Sequence, residues 1–489
     1  NNVNKTVMKS IFYNILLLAS IVTFFACSDD DSYTTSPGNL LTFSADTVRL
    51  DTVFSTVPSS TRSFWVYNKS GDGLRNISVR LEGGNQSGFR VNVDGAYLSP
   101  EQGYKVNGVD VRNKDSVRVY VELTSAAANS DAPRHLNDNL LFTLESGREQ
   151  KVVLDAWSWD AQFMRDVNVA SDTTLESSKP LVVYGMMTVG EGATLTIAPG
   201  TTVYFHGDAG LDVKGRLVCN GTADKNIVLR GDRLDRMFDY LPYDNVSGQW
   251  QGVRLRGQSY DNEISYTDIH GSFDGIAVDS SDVARQTLTL LNSTVHNCQG
   301  NALGITNAKV SIVNCQLTNA LGSCLYINGG DVSVNNCTIA QFYPFDGNRG
   351  SALYFSGVDN PLVSFQCANT LVTGYSDDEL MGGKPSADSG NAFNYSFANC
   401  IIRTPEVDDK EKPHFLDVVF EDVKDTVGCG RKNFVLVDGD NQRYDFHLDK
   451  QSVAVDKANP GTSTKTDRDG RERDDKPDVG AYELFREEQ

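Results

Sequence analysis

The feature that most limits the folds open to this 489-residue chain is a short motif that recurs at a regular interval. The motif begins at Asn292, Asn314 and Asn336, which are 22 residues apart, and it continues at Asn369 and Asn399 after longer intervals. A second series alternates with it and reads DGIAV from Asp274, NALGI from Asn301, SCLYI from Ser323 and SALYF from Ser351. Two interleaved strands that recur at one period predict one structural coil per repeat.

Such coils stack into a parallel β-helix, in which equivalent side chains of successive coils lie about 4.8 Å apart and form ladders. The aliphatic residue three places after each asparagine predicts an interior ladder of Val295, Leu317, Ile339, Val372 and Ile402. Asparagine suits the turn because it tolerates a left-handed backbone conformation. We therefore predict an all-β chain with a parallel β-helix over residues 161–430 and a C-terminal coil or cap over residues 431–489.

The cysteines beyond residue 200 fit this ladder better than they fit a disulfide or metal framework. Cys315, Cys337 and Cys400 take one equivalent position of the repeat, where a small apolar thiol fits. Side chains of stacked coils point in the same direction, which is unsuitable for a disulfide. The sequence has no CxxC pair and no Cys/His group with zinc spacing. We predict free, buried thiols at Cys219, Cys298, Cys315, Cys324, Cys337, Cys367, Cys400 and Cys429.

Residues 39–160 carry a different pattern, the alternation that is typical of half-buried strands. In SVRVYVEL, Val117, Val119, Val121 and Leu123 share one face. About seven such stretches, separated by turn-rich segments, predict an antiparallel β-sandwich of immunoglobulin-like type. The segment contains no cysteine and no catalytic constellation, so we expect it to act as a spacer.

The N-terminal segment predicts where the protein is located. After Lys9, about sixteen mostly apolar residues form a run that is too short for a transmembrane helix but typical of a signal peptide. We assign residues 1–26 to a signal peptide that starts at Met8. Cys27 resembles the lipidated cysteine of a bacterial lipobox, and residues 27–38 form an acidic tether that resembles the surface-export signal of Bacteroidetes lipoproteins. An ordinary signal peptide that contains a cysteine is the alternative.

The charge of the chain limits the partners that it can bind. The formal net charge is −20 and the isoelectric point is near 4.7. Nucleic acid is not expected as a partner, because a phosphate-binding surface needs clustered lysine and arginine. We expect instead that the outer membrane holds the protein through a lipid anchor, palmitate among its chains, and that an outer-membrane protein complex or a polysaccharide is the partner.

Three stretches resemble a known family. Residues 189–232, which include VGEGATLTIAPGTTVYF, are similar to the opening coils of right-handed parallel β-helix proteins, and GQWQGVRL (248–255) resembles their W-x-G strand. Residues 452–484 resemble the terminal element of the same group. With the lipobox, these stretches resemble a family of Bacteroidetes surface lipoproteins with a pectate-lyase-like fold, mostly of unassigned function. The resemblance implies a right-handed helix and little about activity.

The fold suggests carbohydrate chemistry as one hypothesis, since parallel β-helices include lyases and glycosidases. A lyase needs a base and a cation beside a uronate, and a hydrolase needs two or three carboxylates in one groove. The candidate catalytic residues are Asp268, His270 and Arg349, with His296 as a further candidate. None of the candidates repeats at the coil spacing needed to place three acids side by side. We therefore favour a non-enzymatic binding or scaffold protein, either glycan-binding or an accessory subunit of an outer-membrane complex, with a polysaccharide lyase or glycosidase as the alternative.

Two other sets of residues are candidates for binding. Tyr240, Tyr243, Phe342 and Tyr343 lie in insertions between coils, where they either stack on sugars or pack against the coil wall. Asp467 and Asp469 precede a glycine as in a calcium loop, which makes Ca²⁺ the one candidate cofactor. Interleaved arginines favour internal Asp–Arg pairing over a metal there.

Overall fold

The computed structural model describes residues 32–84 and 86–484, and in that part of the chain the regular structure consists of β-strands and short 3₁₀ turns. The predicted signal peptide, the lipidated Cys27 and the first residues of the tether lie outside the described residues. Two compact units make up the chain. One contains residues up to Ala127 and Arg134–Ser158, and the other contains Ala128–Pro133 and the chain from Trp159 onward.

The first unit consists of two five-stranded sheets that share one hydrophobic core. In order across the sheets, the strands are Leu41–Phe43, Arg62–Asn68, Ser116–Leu123, Phe89–Val93 and Ala96–Tyr97 in one, and Thr47–Phe54, Glu149–Trp159, Arg134–Thr143, Leu74–Leu81 and Lys105–Val111 in the other. Arg62–Asn68 pairs antiparallel with Ser116–Leu123, whose valines are buried as the alternation predicts. Phe64 of one sheet meets Phe142 of the other edge to face, with ring centroids 6.5 Å apart. The immunoglobulin-like identity of this unit stays a prediction.

The second unit is a parallel β-helix with one sheet of eleven strands, which we call the narrow sheet, and one of seventeen, the wide sheet. The narrow sheet has one strand per coil: Gln162–Arg165, Leu181–Tyr184, Thr202–Phe205, Ile227–Gly231, Thr267–His270, Thr294–Cys298, Gln316–Ala320, Thr338–Gln341, Leu371–Gly374, Ile401–Ile402 and Val419–Phe420. Its neighbouring strands pair in parallel.

The wide sheet is also parallel, and two strands from most coils contribute to it. Its strands are Asn168–Val169, Thr173–Leu175, Met186–Val189, Thr194–Ile197, Gly210–Val213, Arg216–Asn220, Val253–Leu255, Asn262–Ser265, Ile276–Val278, Gln286–Leu291, Leu303–Val313, Leu325–Asn335, Leu353–Ser356, Leu362–Ala368, Leu380–Gly383, Phe393–Ala398 and Phe415–Leu416. Two hairpins pair Arg236–Phe238 with Leu241–Pro242 and Phe434–Asp438 with Arg443–Leu448. The 3₁₀ turns are Pro100–Gln102, Tyr243–Asn245, Lys412–His414 and Cys429–Asn433.

The predicted ladders are confirmed. Val295, Leu317, Ile339, Val372 and Ile402 are register partners in the narrow sheet, and each is fully buried. All five motif asparagines have a positive φ between 45° and 53°. The Nδ2 atom of Asn314 donates to Oδ1 of Asn292 on the preceding coil at 3.0 Å. The asparagine thus forms the turn at which the chain enters these five strands of the narrow sheet.

The prediction for the cysteines is also confirmed, because all eight are buried and free. Cys337 and Cys315 occupy successive coils, and the amide of Cys315 donates to the Sγ atom of Cys337 at 3.4 Å. Burial raises the pKa of the Cys219 and Cys298 thiols to about 12. A thiol with so high a pKa stays protonated, so it contributes to the packing of the core and does not act as a nucleophile.

The C-terminal segment, predicted as a coil or cap of the helix, runs back along the outer face of the narrow sheet. Phe434, Phe446 and Leu448 form a second core with Ala340 and Leu371, which point outward from that sheet. Further along, the backbone amide of Ala481 donates to the Thr338 hydroxyl at 3.0 Å. Residue alternation places Ala340 and Leu371 on the face opposite the interior ladder, and their apolar side chains there require a cover.

The structure contains, between residues 32 and 484 apart from residue 85, no helix with the length and hydropathy needed to cross a membrane.

Candidate functional site

A group of ionisable side chains lies on the outer face of the narrow sheet. Asp268 and His270 are two residues apart on the strand Thr267–His270, so the alternation of a strand directs both outward. His296 on the next coil is the register partner of His270, and their rings stack with centroids 4.8 Å apart. Oδ1 of Asp268 lies 2.7 Å from Nδ1 of His270 and 3.2 Å from Nε2 of His296.

The insertion between coils, which the sequence analysis considered only for its aromatics, adds a second acid. Asp244 lies in the 3₁₀ turn Tyr243–Asn245, and its Oδ1 atom lies 2.8 Å from Nε2 of His270. The same oxygen lies 2.6 Å from Nη1 of Arg230, which extends from the preceding strand. His270 is therefore held between two carboxylates, and the indole N–H of Trp250 donates to its carbonyl oxygen at 2.8 Å.

The charges of this group stabilise one another. Burial lowers the pKa of His270, but the adjacent Asp268 and Asp244 outweigh that effect and raise it to about 9. Burial raises the pKa of Asp244 and Asp268, but His270 and Arg230 bring the pKa of Asp244 down to about 2, and His296 and His270 hold that of Asp268 well below its usual range. At neutral pH the carboxylates are ionised and His270 carries a positive charge.

A groove with a volume of about 510 Å³ lies beside this group. One wall is the outer face of the narrow sheet, and the other is the C-terminal segment. Asp268 and His296 line it, whereas His270 lies behind them with 6% of its surface exposed. The polar side chains of Gln316, Thr318 and Asn319 and the aromatic side chains of Tyr444, Phe446 and Tyr482 complete most of the lining.

The opposite wall carries a second histidine between two acids. Nδ1 of His447 lies 2.6 Å from Oδ1 of Asp445, and its Nε2 lies 3.0 Å from Oδ2 of Asp469. The His447 ring also packs on Tyr482, with centroids 4.2 Å apart. Among the described residues, Oδ1 of Asn319 is a buried acceptor in this groove for which the protein supplies no donor. The groove thus offers hydrogen-bonding groups and aromatic rings together.

The structure brings together two of the three predicted catalytic candidates. Asp268 and His270 are in contact, and His296 joins them. Arg349 lies elsewhere, where its Nη1 atom donates to the carbonyl oxygen of Tyr343 at 3.4 Å and its guanidinium covers the ring of Tyr375. The arginine that accompanies the group is Arg230, which the sequence analysis did not identify. His447 and Asp445 were also missed, because they are separated from Asp268 by more than 170 residues and no local pattern connects them.

The predicted aromatic residues divide between core and surface. Phe342 is fully buried beneath the C-terminal segment, and Tyr343 is nearly buried, with its hydroxyl 2.8 Å from that of Ser247, which corrects their assignment as ligand-binding residues. Tyr243 lies under the guanidinium of Arg233 at 3.8 Å. Tyr240 is 56% exposed and stacks on Phe238, with ring centroids 5.8 Å apart. Of the four candidates, Tyr240 presents the most surface.

The residues considered for calcium do not fit that ion. Asp467 is fully buried, and its carboxylate accepts hydrogen bonds from the backbone amides of Asp469, Arg471 and Glu483. Asp469 is engaged by His447 instead. Asp467 organises a turn through backbone donors, so its oxygens are not arranged around a shared cation position.

Comparisons with known proteins agree with this architecture. Residues 170–339 match the family described as "Right handed beta helix region", which assigns a right-handed parallel β-helix to that part of the chain. No curated protein has a matching sequence. Among solved structures, pectate lyase Pel9A is 14% identical, with 64% of this chain and 89% of that chain covered and a TM-score of 0.28.

Two further solved structures have comparably low similarity. The catalytic unit of the thermostable GH87 α-1,3-glucanase from Streptomyces thermodiastaticus strain HF3-3 is 13% identical, with 73% and 88% of the two chains covered and a TM-score of 0.26. The CooA pilin subunit from enterotoxigenic Escherichia coli is 10% identical, with 24% and 96% covered and a TM-score of 0.18. Similarity at these scores supports no conclusion about activity.

Proposed function

We propose that this protein is a surface lipoprotein that binds a polysaccharide chain in the groove between the narrow sheet and the C-terminal segment. The observation that carries the proposal is the lining of the groove. The amide and hydroxyl side chains of Gln316, Thr318 and Asn319 line it together with Tyr444. Sugars offer hydroxyl donors and apolar faces, and sites for polar ligands combine a few directed polar groups with aromatic surface.

The internal pairing of the charged groups favours binding over catalysis. Both ring nitrogens of His270 are engaged by carboxylates, and so are those of His447. A general base needs a nitrogen or oxygen that is free to take a proton from the substrate. A groove in which His270 and His447 are already paired in this way suits a ligand that is held without being cleaved.

Affinity measurements on the full chain test this proposal. Tyr444→Ala should weaken binding to the polysaccharide that the wild type selects from a glycan array by about tenfold or more, because one sugar-stacking ring is lost. Tyr97→Ala is the matched control, since Tyr97 is an exposed tyrosine of the first unit. Equal affinities for wild type and Tyr444→Ala would contradict the location in the groove, and no binding to any glycan would contradict the ligand class.

A polysaccharide lyase or glycosidase is the second candidate, and one observation favours it. Asp268 and His296 lie in one wall of the groove, whereas Asp445 lies in the other, so carboxylates face the same space from two sides. If the protein cleaves its ligand, incubation with bound polysaccharide should release shorter chains, and Asp268→Asn should abolish that release while binding persists. Intact polysaccharide after incubation with the wild type would exclude this candidate.

The proposed location rests on the N-terminal sequence. Lipidation of Cys27 would anchor the chain in the outer membrane, with the first unit, an immunoglobulin-like spacer in this proposal, lifting the helix above the surface. Metabolic labelling with a palmitate analogue should mark the wild type and not Cys27→Ser, and external protease should digest the wild type on intact cells. An outer-membrane protein complex is the alternative partner, and it would be recovered in stoichiometric amounts with the tagged protein.

A further inference from the structure

We propose that Asp268, His270 and His296 form a binding site for a divalent transition-metal ion of the Zn²⁺ type in the wall of the groove. The three side chains offer one carboxylate oxygen and two imidazole nitrogens, and these ligand atoms all lie within 4.8 Å of one another. This inference does not rest on the proposed polysaccharide binding, since it concerns the metal alone.

The distances are close to those that a tetrahedral ion requires. Zinc ligands lie about 2.0–2.1 Å from the metal, so two ligands of one tetrahedral ion are about 3.3 Å apart. Oδ1 of Asp268 is 2.7 Å from Nδ1 of His270 and 3.2 Å from Nε2 of His296. The Asp268–His296 distance is thus already that of a tetrahedral ion, whereas Asp268 and His270 must separate by about 0.6 Å. The two imidazole nitrogens, which lie within 4.8 Å of each other, must also take a separation of about 3.3 Å for the ion to replace the protons that now join these atoms.

The groups around the three ligands are those that support a metal site. A metal-bound histidine commonly donates its other N–H to a carboxylate, which fixes the orientation of the ring. Asp244 takes this position, 2.8 Å from Nε2 of His270, and Arg230 in turn holds Asp244 at 2.6 Å. Two adjacent strands of a rigid coil stack carry the ligands themselves, so little ordering would be needed on binding.

The exposure of the ligands leaves one side of the site open. Asp268 and His296 line the groove, and His270 lies behind them. A bound ion would therefore have an unfilled position on the groove side, as zinc ions with three protein ligands do. Two imidazole nitrogens also select the kind of metal, because Ca²⁺ and Mg²⁺ prefer oxygen ligands throughout.

Histidine–aspartate contacts occur elsewhere in the described chain, and they show what distinguishes this group. His206 lies 2.7 Å from Asp232, and His447 lies between Asp445 and Asp469. The ionisable groups beside these histidines are carboxylates, and their rings pack on Tyr184 and Tyr482 rather than on a second histidine. At Asp268, stacking of coils adds a second histidine in register, and two nitrogens beside one carboxylate form the metal-binding combination.

Titration of the chelator-treated full-length protein tests the site. With Zn²⁺ in a calorimeter, the wild type should bind one ion in this site with micromolar affinity or better, and Co²⁺ in its place should give the intense visible absorption of a four-coordinate ion. His296→Gln should weaken binding more than a hundredfold, and Asp244→Asn should weaken it about tenfold, as is typical for a partner of a ligand. Asp268→Asn should behave like His296→Gln.

His447→Gln is the matched control, because it removes a histidine with two acidic neighbours from the same groove and should leave the affinity unchanged. Thermal unfolding supplies a readout independent of calorimetry: Zn²⁺ should raise the melting temperature of the wild type and of His447→Gln but not that of His296→Gln. A thousandfold excess of Ca²⁺ should not displace Zn²⁺.

A wild type without saturable Zn²⁺ binding, or a His296→Gln variant with wild-type affinity for Zn²⁺, would overturn the proposal. Polysaccharide binding measured on the same variants tests the proposed function and not the metal site.

Discussion

The two units bury their apolar side chains in different ways, and the candidate site described above lies in the second of them. In the first unit, strands pair antiparallel, and the core contains mixed aliphatic and aromatic side chains such as Phe64, Phe89 and Phe142. In the helix, register partners are equivalent residues, as in the ladder from Val295 to Ile402. Stacking therefore brings together residues 18 or more positions apart, and it does so on the outer face as well as inside.

This difference explains where the chemistry is located. Outward-facing residues of an antiparallel strand neighbour whatever the partner strand presents, and in the first unit they form scattered ion pairs such as Arg80–Glu149. On the narrow sheet, a histidine on one coil directly contacts the histidine on the next. The C-terminal segment lies opposite these outward-facing residues, so that they form one wall of the groove.

The largest effect that we expect comes from the close spacing of coils. Gly252 and Gly95 have nearly the same positive φ, 89° and 84°, but a Cβ atom at Gly252 would overlap the carbonyl oxygen of Asp274, whereas at Gly95 no atom lies within 4 Å. Gly95→Ala should lower the free energy of unfolding by about 1–2 kcal/mol. Gly252→Ala should lower it by about 5 kcal/mol or more, because the coil must move. Denaturant unfolding measures both, and equal costs would contradict the effect of stacking.

A buried carboxyl group should make the stability of the helix depend on pH. Glu379 is fully buried, and burial raises its pKa from 4.5 to about 8, despite hydrogen bonds from the amides of Ser376 and Ala352. Between pH 4.5 and 8 the folded protein keeps a proton that the unfolded chain has lost. The free energy of unfolding should therefore fall as pH rises from 4.5 to 8, by up to about 1.4 kcal/mol per pH unit. Above pH 8 the stabilisation that comes from keeping Glu379 protonated is lost.

Glu379→Gln removes the titration, so the difference in slope between it and the wild type isolates this group. Thermal unfolding of both proteins between pH 5 and pH 9 provides the slopes. Parallel slopes would mean that Glu379 is ionised in the folded protein.

A smaller effect should separate two asparagines with a left-handed backbone, one in a turn of the helix and one within the strand Leu74–Leu81 of the first unit. Asn314 and Asn76 share a φ of 53°, but Asn314 bonds to Asn292, Thr464 and Thr466, whereas the Nδ2 atom of the exposed Asn76 donates to Glu145. Both alanine variants lose the preference for a left-handed backbone, which costs about 1 kcal/mol. Asn314→Ala should cost about 2 kcal/mol more, because buried hydrogen bonds are lost. Urea unfolding measures the loss of stability in both variants. Equal losses for Asn314→Ala and Asn76→Ala would contradict this prediction.

The smallest expected change is one of reactivity. All eight cysteines between Cys219 and Cys429 are buried, and the described part of the first unit contains none. In a Cys27→Ser variant, a maleimide reagent should label no thiol of the native protein within minutes and should label all eight in denaturant. The labelling rate in intermediate denaturant then reports the opening of the helix alone. Rapid labelling of native protein would show that the coils open readily.

Sequence patterns were sufficient for the architecture because they depend on local rules repeated many times. The asparagine at the turn and the aliphatic residue three places later recur in five motifs, and each motif has the predicted backbone conformation and burial. The alternation in SVRVYVEL likewise predicted which side chains the first unit buries. The sequence also identified Asp268 and His270, because they lie beside an interior residue of this pattern.

Only the tertiary structure decided what surrounds those two residues. The 22-residue repeat does not apply to the insertion that carries Asp244 or to the C-terminal segment that carries His447. The C-terminal segment covers the apolar outward face at Ala340 and Leu371. The turn that carries Asp244 is held instead by its contacts with Arg230 and His270. A repeating sequence determines how its coils stack, because each coil contacts equivalent coils on both sides. The groove depends instead on contacts between segments that share no sequence pattern.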